Sequence, residues 1–212
     1  ERGHDPFVLR SVLDKRARIV TVALKPDFWI AYDANSCGLF KVWRDGVDFD
    51  GPVYTTKHGP QPTTQGSYYL ESQFERPWLL TQNGKTDTVN AVYRGHRYED
   101  GQATFSYEIP LADGKDISIK EKPEYFETEA NPKGNPGLER VFITADVPEG
   151  TQIQLLVNLS SINSEMALDP DGRFEIAQKQ AHDHPVIKAI NLQGKLFLQA
   201  NGTTRFVVRF MK

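Results

Sequence analysis

Apolar and polar positions alternate with a period of two along most of this chain, the spacing of strands with one buried face. Arg18 to Leu24 (RIVTVAL) reads as a strand, stopped by Lys25-Pro26-Asp27. Phe28 to Asp33 (FWIAYD) and Cys37 to Trp43 follow, joined through Ala34-Asn35-Ser36, so these stretches predict a meander. Val53 to Thr56 reads as a short strand. Gly59 to Gly66 reads as loop, because Pro60 and Pro62 have no N–H to give a ladder.

The middle of the chain carries a clearer pattern. Thr88 to Tyr98 predicts one long strand, and Glu99-Asp100-Gly101 is a hairpin turn. Ala103 to Leu111 returns, with Phe105, Tyr107 and Ile109 on one face and Thr104, Ser106 and Glu108 on the other. Asp113-Gly114 makes the next turn, and Asp116 to Lys122 follows with Ile117 and Ile119 inward. Thr128 to Gly137 (TEANPKGNPG) is a long loop rather than a domain boundary, since strand patterning resumes at once in Leu138 to Ala145. Thr151 to Leu159 places Ile153, Leu155, Val157 and Leu159 on an inner face. Phe174 to Gln178, Val186 to Leu192, Lys195 to Gln199 and Thr203 to Met211 complete the strands. Pro6 to Asp14 (PFVLRSVLD) is the one stretch predicted as a short helix.

About a dozen strands at a spacing of roughly 8–12 residues predict an all-β fold. The expectation is a large antiparallel two-sheet β-sandwich, of supersandwich or jelly-roll kind, with little helix and one domain over residues 1–212. The composition can fill such a core: hydrophobic residues make up 39% of the 212 positions and aromatics 11%.

Charge narrows the function classes. Charged residues are 25% of the chain, the net charge is -3, and no basic stripe marks a nucleic-acid footprint. No apolar run approaches the roughly 20 residues of a membrane span. Cys37 is the only cysteine, which excludes an intrachain disulfide, a Cys-x-x-Cys metal site and a Cys-x-x-Cys-His haem attachment. The start, ERGHDPF, has neither Met nor a signal-peptide pattern, as expected of a domain excised or processed from a larger protein.

Candidate chemistry concentrates between Phe40 and Pro62 (FKVWRDGVDFDGPVYTTKHGPQP). Trp43, Phe49 and Tyr54 stand there among Asp48, Asp50 and His58. A pyranose ring offers an apolar C–H face to an aromatic and hydroxyls to carboxylates, so Trp43, Asp48, Asp50, Tyr54 and His58 are candidate ligands for a carbohydrate or another polar small molecule. The same composition also suits a Gly/Pro-rich corner with turn acids and half-buried aromatics.

Weaker candidates lie elsewhere. Strict alternation sets Asn90, Arg94, His96 and Tyr98 on one sheet face, where Arg94 would hold an anion and His96 act as acid or base. The opposing account is a solvated sheet face of long polar side chains. Glu121, with Glu124, Glu127 and Glu129, offers carboxylates for glycosidase-type work, against the plainer reading of an acidic strand end and loop beside Lys120 and Lys122. Glu139 and Arg140 must face opposite sides of one strand. His182-Asp183-His184 lacks an evident third ligand, so no metal and no other cofactor are expected.

FVLRSVLDKRARIVTVAL, WIAYDANSCGLFKVWRDGVDFDGPVYTTKHGPQP and GLERVF resemble a β-sandwich domain of exported bacterial multidomain proteins linked to c-type cytochromes and sugar catabolism. The resemblance covers the N-terminal third well and the remainder loosely. It implies an exported location, periplasmic or extracellular. It also implies an adjoining cytochrome c domain as a possible partner, with any haem in that neighbour. It supplies no catalytic residues. Three functions follow as expectations: a non-catalytic carbohydrate-binding or accessory domain, a sugar-active lyase, epimerase or hydrolase, or a docking domain for a redox partner.

Overall fold

Runs that are apolar on both faces, such as Phe28 to Tyr32 and, apart from the buried Thr21, Ile19 to Leu24, have no face to give to water. Strands of this kind are buried on both sides, and in the computed structural model they form the middle of a layered all-β protein. The structure describes residues 7–50, 59–127, 136–159, 164–168, 173–176, 186–189 and 192–210.

The chain begins with a meander of β1 (Phe7–Leu13), β2 (Arg16–Lys25), β3 (Phe28–Asp33) and β4 (Gly38–Trp43). Two short strands, β5 (Val47–Asp48) and β6 (Thr63–Thr64), pair with each other. The next strand, β7 (Tyr68–Glu71), returns beside β4 to complete a five-stranded sheet in the order β1-β2-β3-β4-β7. A hairpin of β8 (Trp78–Gln82) and β9 (Lys85–Val89) follows, turned by Asn83 and Gly84 at φ of 52° and 75°. Positive φ at both central residues is the two-residue hairpin geometry whose twist matches its strands.

The long antiparallel run is β10 (Val92–Glu99), β11 (Gln102–Pro110), β12 (Asp116–Glu127) and β13 (Pro136–Ala145). After it come β14 (Gln152–Leu159), β15 (Ser164–Leu168), β16 (Arg173–Ile176), β17 (Val186–Ala189), β18 (Leu192–Leu198) and β19 (Thr203–Phe210). They close a seven-stranded sheet, β10-β11-β12-β13-β19-β15-β17, and a second five-stranded sheet, β16-β18-β14-β8-β9.

All three large sheets feed one core. Val22, Ile30 and Tyr32 come from the first sheet, Trp78, Leu155 and Leu196 from the second five-stranded sheet, and Phe105, Ile119 and Phe142 from the seven-stranded sheet. The seven-stranded sheet is one layer and the two five-stranded sheets together are the other. Tyr32 packs on Phe105 at 4.1 Å between ring centroids, Phe28 on Phe210 at 6.0 Å, and Trp78 on Tyr107 at 6.0 Å. Pro77 stitches the divided layer. Its carbonyl accepts from Leu156 N at 2.7 Å, while its ring lies so close to Gly38 that a Cβ there would meet Pro77 Cγ at 3.1 Å.

The first sheet buries its second face as well. Leu13, Ile19, Ala23, Trp29, Ala31, Phe40 and Trp43 form a smaller cluster, with Val47 packed against it. Trp29 and Trp43 stack there with centroids 6.1 Å apart.

The β-sandwich expectation holds, and several local expectations change. Pro6 to Asp14 is not a helix over its described part. Phe7–Leu13 is an edge strand, and no helix occurs among the described residues. Its apolar residues fit a helix turn in sequence, but pairing with β2 supplies the backbone bonds. Thr88 to Tyr98 is two strands in two different sheets, β9 and β10, separated at Asn90 and Ala91. Gly59 to Gly66 is loop except at Thr63–Thr64, which pairs with Val47–Asp48. Val53 to Thr56 lies outside the described residues. No described helix is long and apolar enough to cross a membrane.

Candidate functional site

Asp14 and Lys15 form the tight β1–β2 turn, with φ of 48° and 67°. Left-handed backbone at two non-glycine residues is unfavourable, and Asp14 offsets it with its side chain. Its Oδ1 accepts from Thr64 N at 2.9 Å, and its Oδ2 accepts from Lys41 Nζ at 2.7 Å and Thr64 Oγ1 at 3.0 Å. Its own N–H donates to Pro62 O at 3.0 Å. Lys41 is 7% exposed, donates also to Thr64 Oγ1 at 2.9 Å, and lies 3.9 Å from Glu71. This clamp fixes the 62–64 segment against the first sheet.

The 44–50 segment is fixed from the other side. Trp43 Nε1 donates to Gly46 O at 2.6 Å, and Gln65 N donates to the same carbonyl at 3.0 Å. Gly46 lies over Trp29 at a φ of 108°, a conformation glycine adopts without a Cβ penalty. Asp48 Oδ1 accepts from Asp50 N at 3.3 Å, so the two acids share one short turn.

Between the two segments lies an open cavity of about 560 Å3, lined by Lys15, Asp48, Asp50, Gly59, Pro60, Gln61 and Thr63. That volume suits a small ligand. Phe49, between the two acids in the chain, is 43% exposed. The wall thus offers carboxylate acceptors, an ammonium and amide donors, and a hydroxyl, with an exposed aromatic next to the acids.

The structure therefore brings Asp48 and Asp50 together and adds Lys15, Gln61 and Thr63, which the sequence did not single out. The signal for Lys15 was the Asp14-Lys15 pair between apolar stretches, a turn signature hidden by the helical reading. Trp43 does not belong to this surface. It is 0% exposed and packed on Trp29, so it presents no face for a sugar to stack on. Burial of both faces of the first sheet is the physical reason. Tyr54 and His58 lie outside the described residues.

The second constellation is rearranged by a β-bulge. The β10–β11 register shifts between Tyr93 and Gly95, and Gly95 sits at a φ of 132°. Tyr93 and His96 then both oppose inward residues, Tyr107 and Phe105, and Tyr93 Oη lies 2.5 Å from His96 Nδ1. Arg94, at the bulge, turns away and pairs with Glu108. Arg94 and His96 therefore do not share a face, contrary to strict alternation. Burial, then the charge of Arg10, lowers the His96 pKa and favours neutral imidazole. Burial raises Tyr93 to about 12.

Glu121 is not an accessible acid. It is 0% exposed, on the inner face of β12 with Ile117 and Ile119. Tyr32 Oη donates to its Oε1 at 2.5 Å, Arg140 Nε to the same oxygen at 2.6 Å, and Tyr107 Oη to Oε2 at 3.4 Å. The carboxylate joins the two layers of the sandwich. Period-two alternation from Ile117 points this residue inward, a signal masked by the neighbouring acids. Glu139 and Arg140 do face opposite sides. Arg140 is buried, and Glu139 pairs with Arg205 at 2.8 Å. Glu124 bonds to Gln102. The Glu127 side chain, Glu129, His182 and His184 lie outside what is described. Among the described residues no three His, Cys, Asp or Glu side chains converge as metal ligands.

No protein-family model matches this chain, and no curated protein matches its sequence. Among solved structures it is similar to the 4-alpha-glucanotransferase of Thermococcus litoralis, at 11% identity and a TM-score of 0.44. The likeness covers 100% of this chain, which spans 40% of the length of that one.

Proposed function

We propose that this chain is a non-catalytic carbohydrate-binding or accessory domain. The observation that supports this reading best is the cavity walled by Asp48, Asp50, Lys15, Gln61 and Thr63, whose two acids flank the exposed Phe49 in the chain. Its rim consists of loops on a rigid support, because the Asp14–Lys41–Thr64 clamp and the Trp43–Gly46 bond hold its two edges to a sheet buried on both faces. Loops carried by a rigid scaffold are the usual place for recognition. Carboxylates accept sugar hydroxyl protons, Lys15 and Gln61 donate to ring and glycosidic oxygens, and Phe49 takes the role first assigned to Trp43.

Within this proposal the chain acts in an exported bacterial protein linked to sugar catabolism, beside a cytochrome c domain. Those elements rest on the resemblance of the N-terminal third.

The test is a glycan array followed by calorimetry on the best ligand. Asp50→Ala should weaken binding by roughly 10-fold or more, since a hydrogen bond to a charged group contributes about 1.5–3 kcal/mol. Phe49→Ala should weaken it as well, and neither substitution should alter folding. A chain that binds no glycan overturns the proposal in favour of a docking domain.

A further inference from the structure

Arg140 holds a second, internal site at the seam of the sheets. The residue is 3% exposed and lies on the inner face of β13. Its guanidinium meets Glu121 through Nε, at 2.6 Å, rather than through a fork of two nitrogens. Its Nη2 is buried and has no hydrogen-bond partner among the described residues. An orphaned donor on a buried guanidinium is costly, because the group has left water without replacing its bonds.

Arg140 also lines a cavity where the two five-stranded sheets meet over the seven-stranded sheet. Leu39 and Leu70 come from the first sheet, Leu155 and Val157 from the second, and Leu138 and Phe206 from the seven-stranded layer. Ser72 lines it too, and its Oγ accepts from Phe74 N at 3.4 Å, which leaves the hydroxyl proton and a further lone pair for another partner. The space amounts to about 20 Å3. A site needs about 10–15 Å3, measured in this way, to hold one water.

The geometry points to a single-water binding site here, with Arg140 Nη2 as the principal donor and Ser72 as the second polar wall. Size excludes a larger ligand: a sugar or an acyl chain needs hundreds of cubic ångströms. Charge selects against an anion. Glu121 already balances Arg140, and an added halide would be an unpaired charge in an apolar chamber. A neutral molecule that accepts from the guanidinium and donates to a carbonyl or hydroxyl meets both conditions. Water is the molecule of that size, and buried waters serve such orphaned groups. The site lies away from the Asp48–Asp50 cavity and does not depend on the carbohydrate reading.

Three measurements on the whole 212-residue chain test it. A high-resolution crystal structure should show one water within about 3.2 Å of Arg140 Nη2, and crystals soaked in bromide should show no anomalous peak there. In solution, the Arg140 guanidinium protons and the Leu138 and Val157 methyls should give cross-relaxation with a long-lived water. Xenon should leave those methyl shifts unchanged in the wild type. In Glu121→Leu/Arg140→Met, which replaces the ion pair with apolar groups, the water contact should vanish and xenon should shift the same methyls.

Xenon shifts in the wild type would show a dry cavity and overturn the site. A bromide peak would replace the water with an anion. Absence of water, bromide and xenon alike would show a closed chamber and equally defeat the inference. The wild-type measurements decide the matter even if the double variant fails to fold.

Discussion

Trp43 and Phe49 belong to one short stretch of sequence, yet truncating them should have opposite consequences. Trp43 is fully buried, stacked on Trp29 and bonded to Gly46. Trp43→Ala should cost about 3–5 kcal/mol of stability, as large-aromatic truncations in cores do, and urea unfolding will read it. Phe49 is 43% exposed. Phe49→Ala should stay within about 0.5 kcal/mol and register only in ligand affinity. Equal stability losses in the two variants would mean that Phe49 is a core residue.

Protonation adds a second prediction at this scale. Burial raises the Cys37 thiol from its ordinary 9.0 to about 12, and it raises the buried phenols of Tyr32 and Tyr107 in the same direction. Below pH 9.0 the folded and unfolded chains both keep the Cys37 proton, and the group adds no pH dependence. Above it the unfolded chain releases the proton while the folded chain holds on until about 12, so stability falls across that window. The urea midpoint should decline steadily from pH 9.0 upward. A thiol reagent at pH 8 should label Cys37 only as fast as the protein opens. Rapid labelling of native protein would contradict the buried thiol.

At the scale of elements, the turns decide where the candidate site sits. Gly66 has a φ of 64°, and a Cβ there would collide with the Asp45 side chain, its own Cβ included, at 2.9 Å. Gly66→Ala should therefore push apart the 44–50 and 62–67 segments that flank the cavity. The expected cost is about 1–3 kcal/mol, typical of a non-glycine residue forced into such backbone under crowding, and glycan affinity should fall with it. A variant with unchanged melting and unchanged binding would show that the two segments are not coupled. The same reasoning explains β10. One bulge at Gly95 moves His96 to the side of Tyr93 and expels Arg94 toward Glu108. A single extra residue in an edge strand thus decides which side chains meet.

Across the whole molecule, the first sheet is common to both hydrophobic clusters. Trp78 reports on the large core and the Trp29–Trp43 pair on the small one. Since Ile19 and Ala23 alternate with Val20 and Val22 along β2, neither cluster can open without exposing a face of the same strand. Single-tryptophan variants reporting from each cluster should give coincident urea midpoints, the behaviour of one cooperative unit. Separate midpoints would show two units.

Much of this architecture is written in local sequence. Alternation from Ala103 to Ile119 set the inner faces of β11 and β12, because a side-chain period of two survives in any regular strand. Asp100-Gly101 set a hairpin turn, because those residues tolerate positive φ. The acids Asp48 and Asp50 were legible as a polar loop pair for the same local reason. What local sequence could not settle was which partner each strand finds. Phe7–Leu13 became an edge strand because β2 satisfied its backbone. Trp43 became core because β5, β6 and the 44–48 turn cover the second face of its sheet. Glu121 became an internal ion pair because Arg140, on the neighbouring strand, and Tyr32, in the opposite layer, both point at it. Backbone conformation is chosen by neighbours in the chain, whereas burial and charge pairing are chosen by neighbours in space. The sequence therefore determined an antiparallel β-protein and its turns, and only the packing of three sheets decided which aromatics and acids remain available to a ligand.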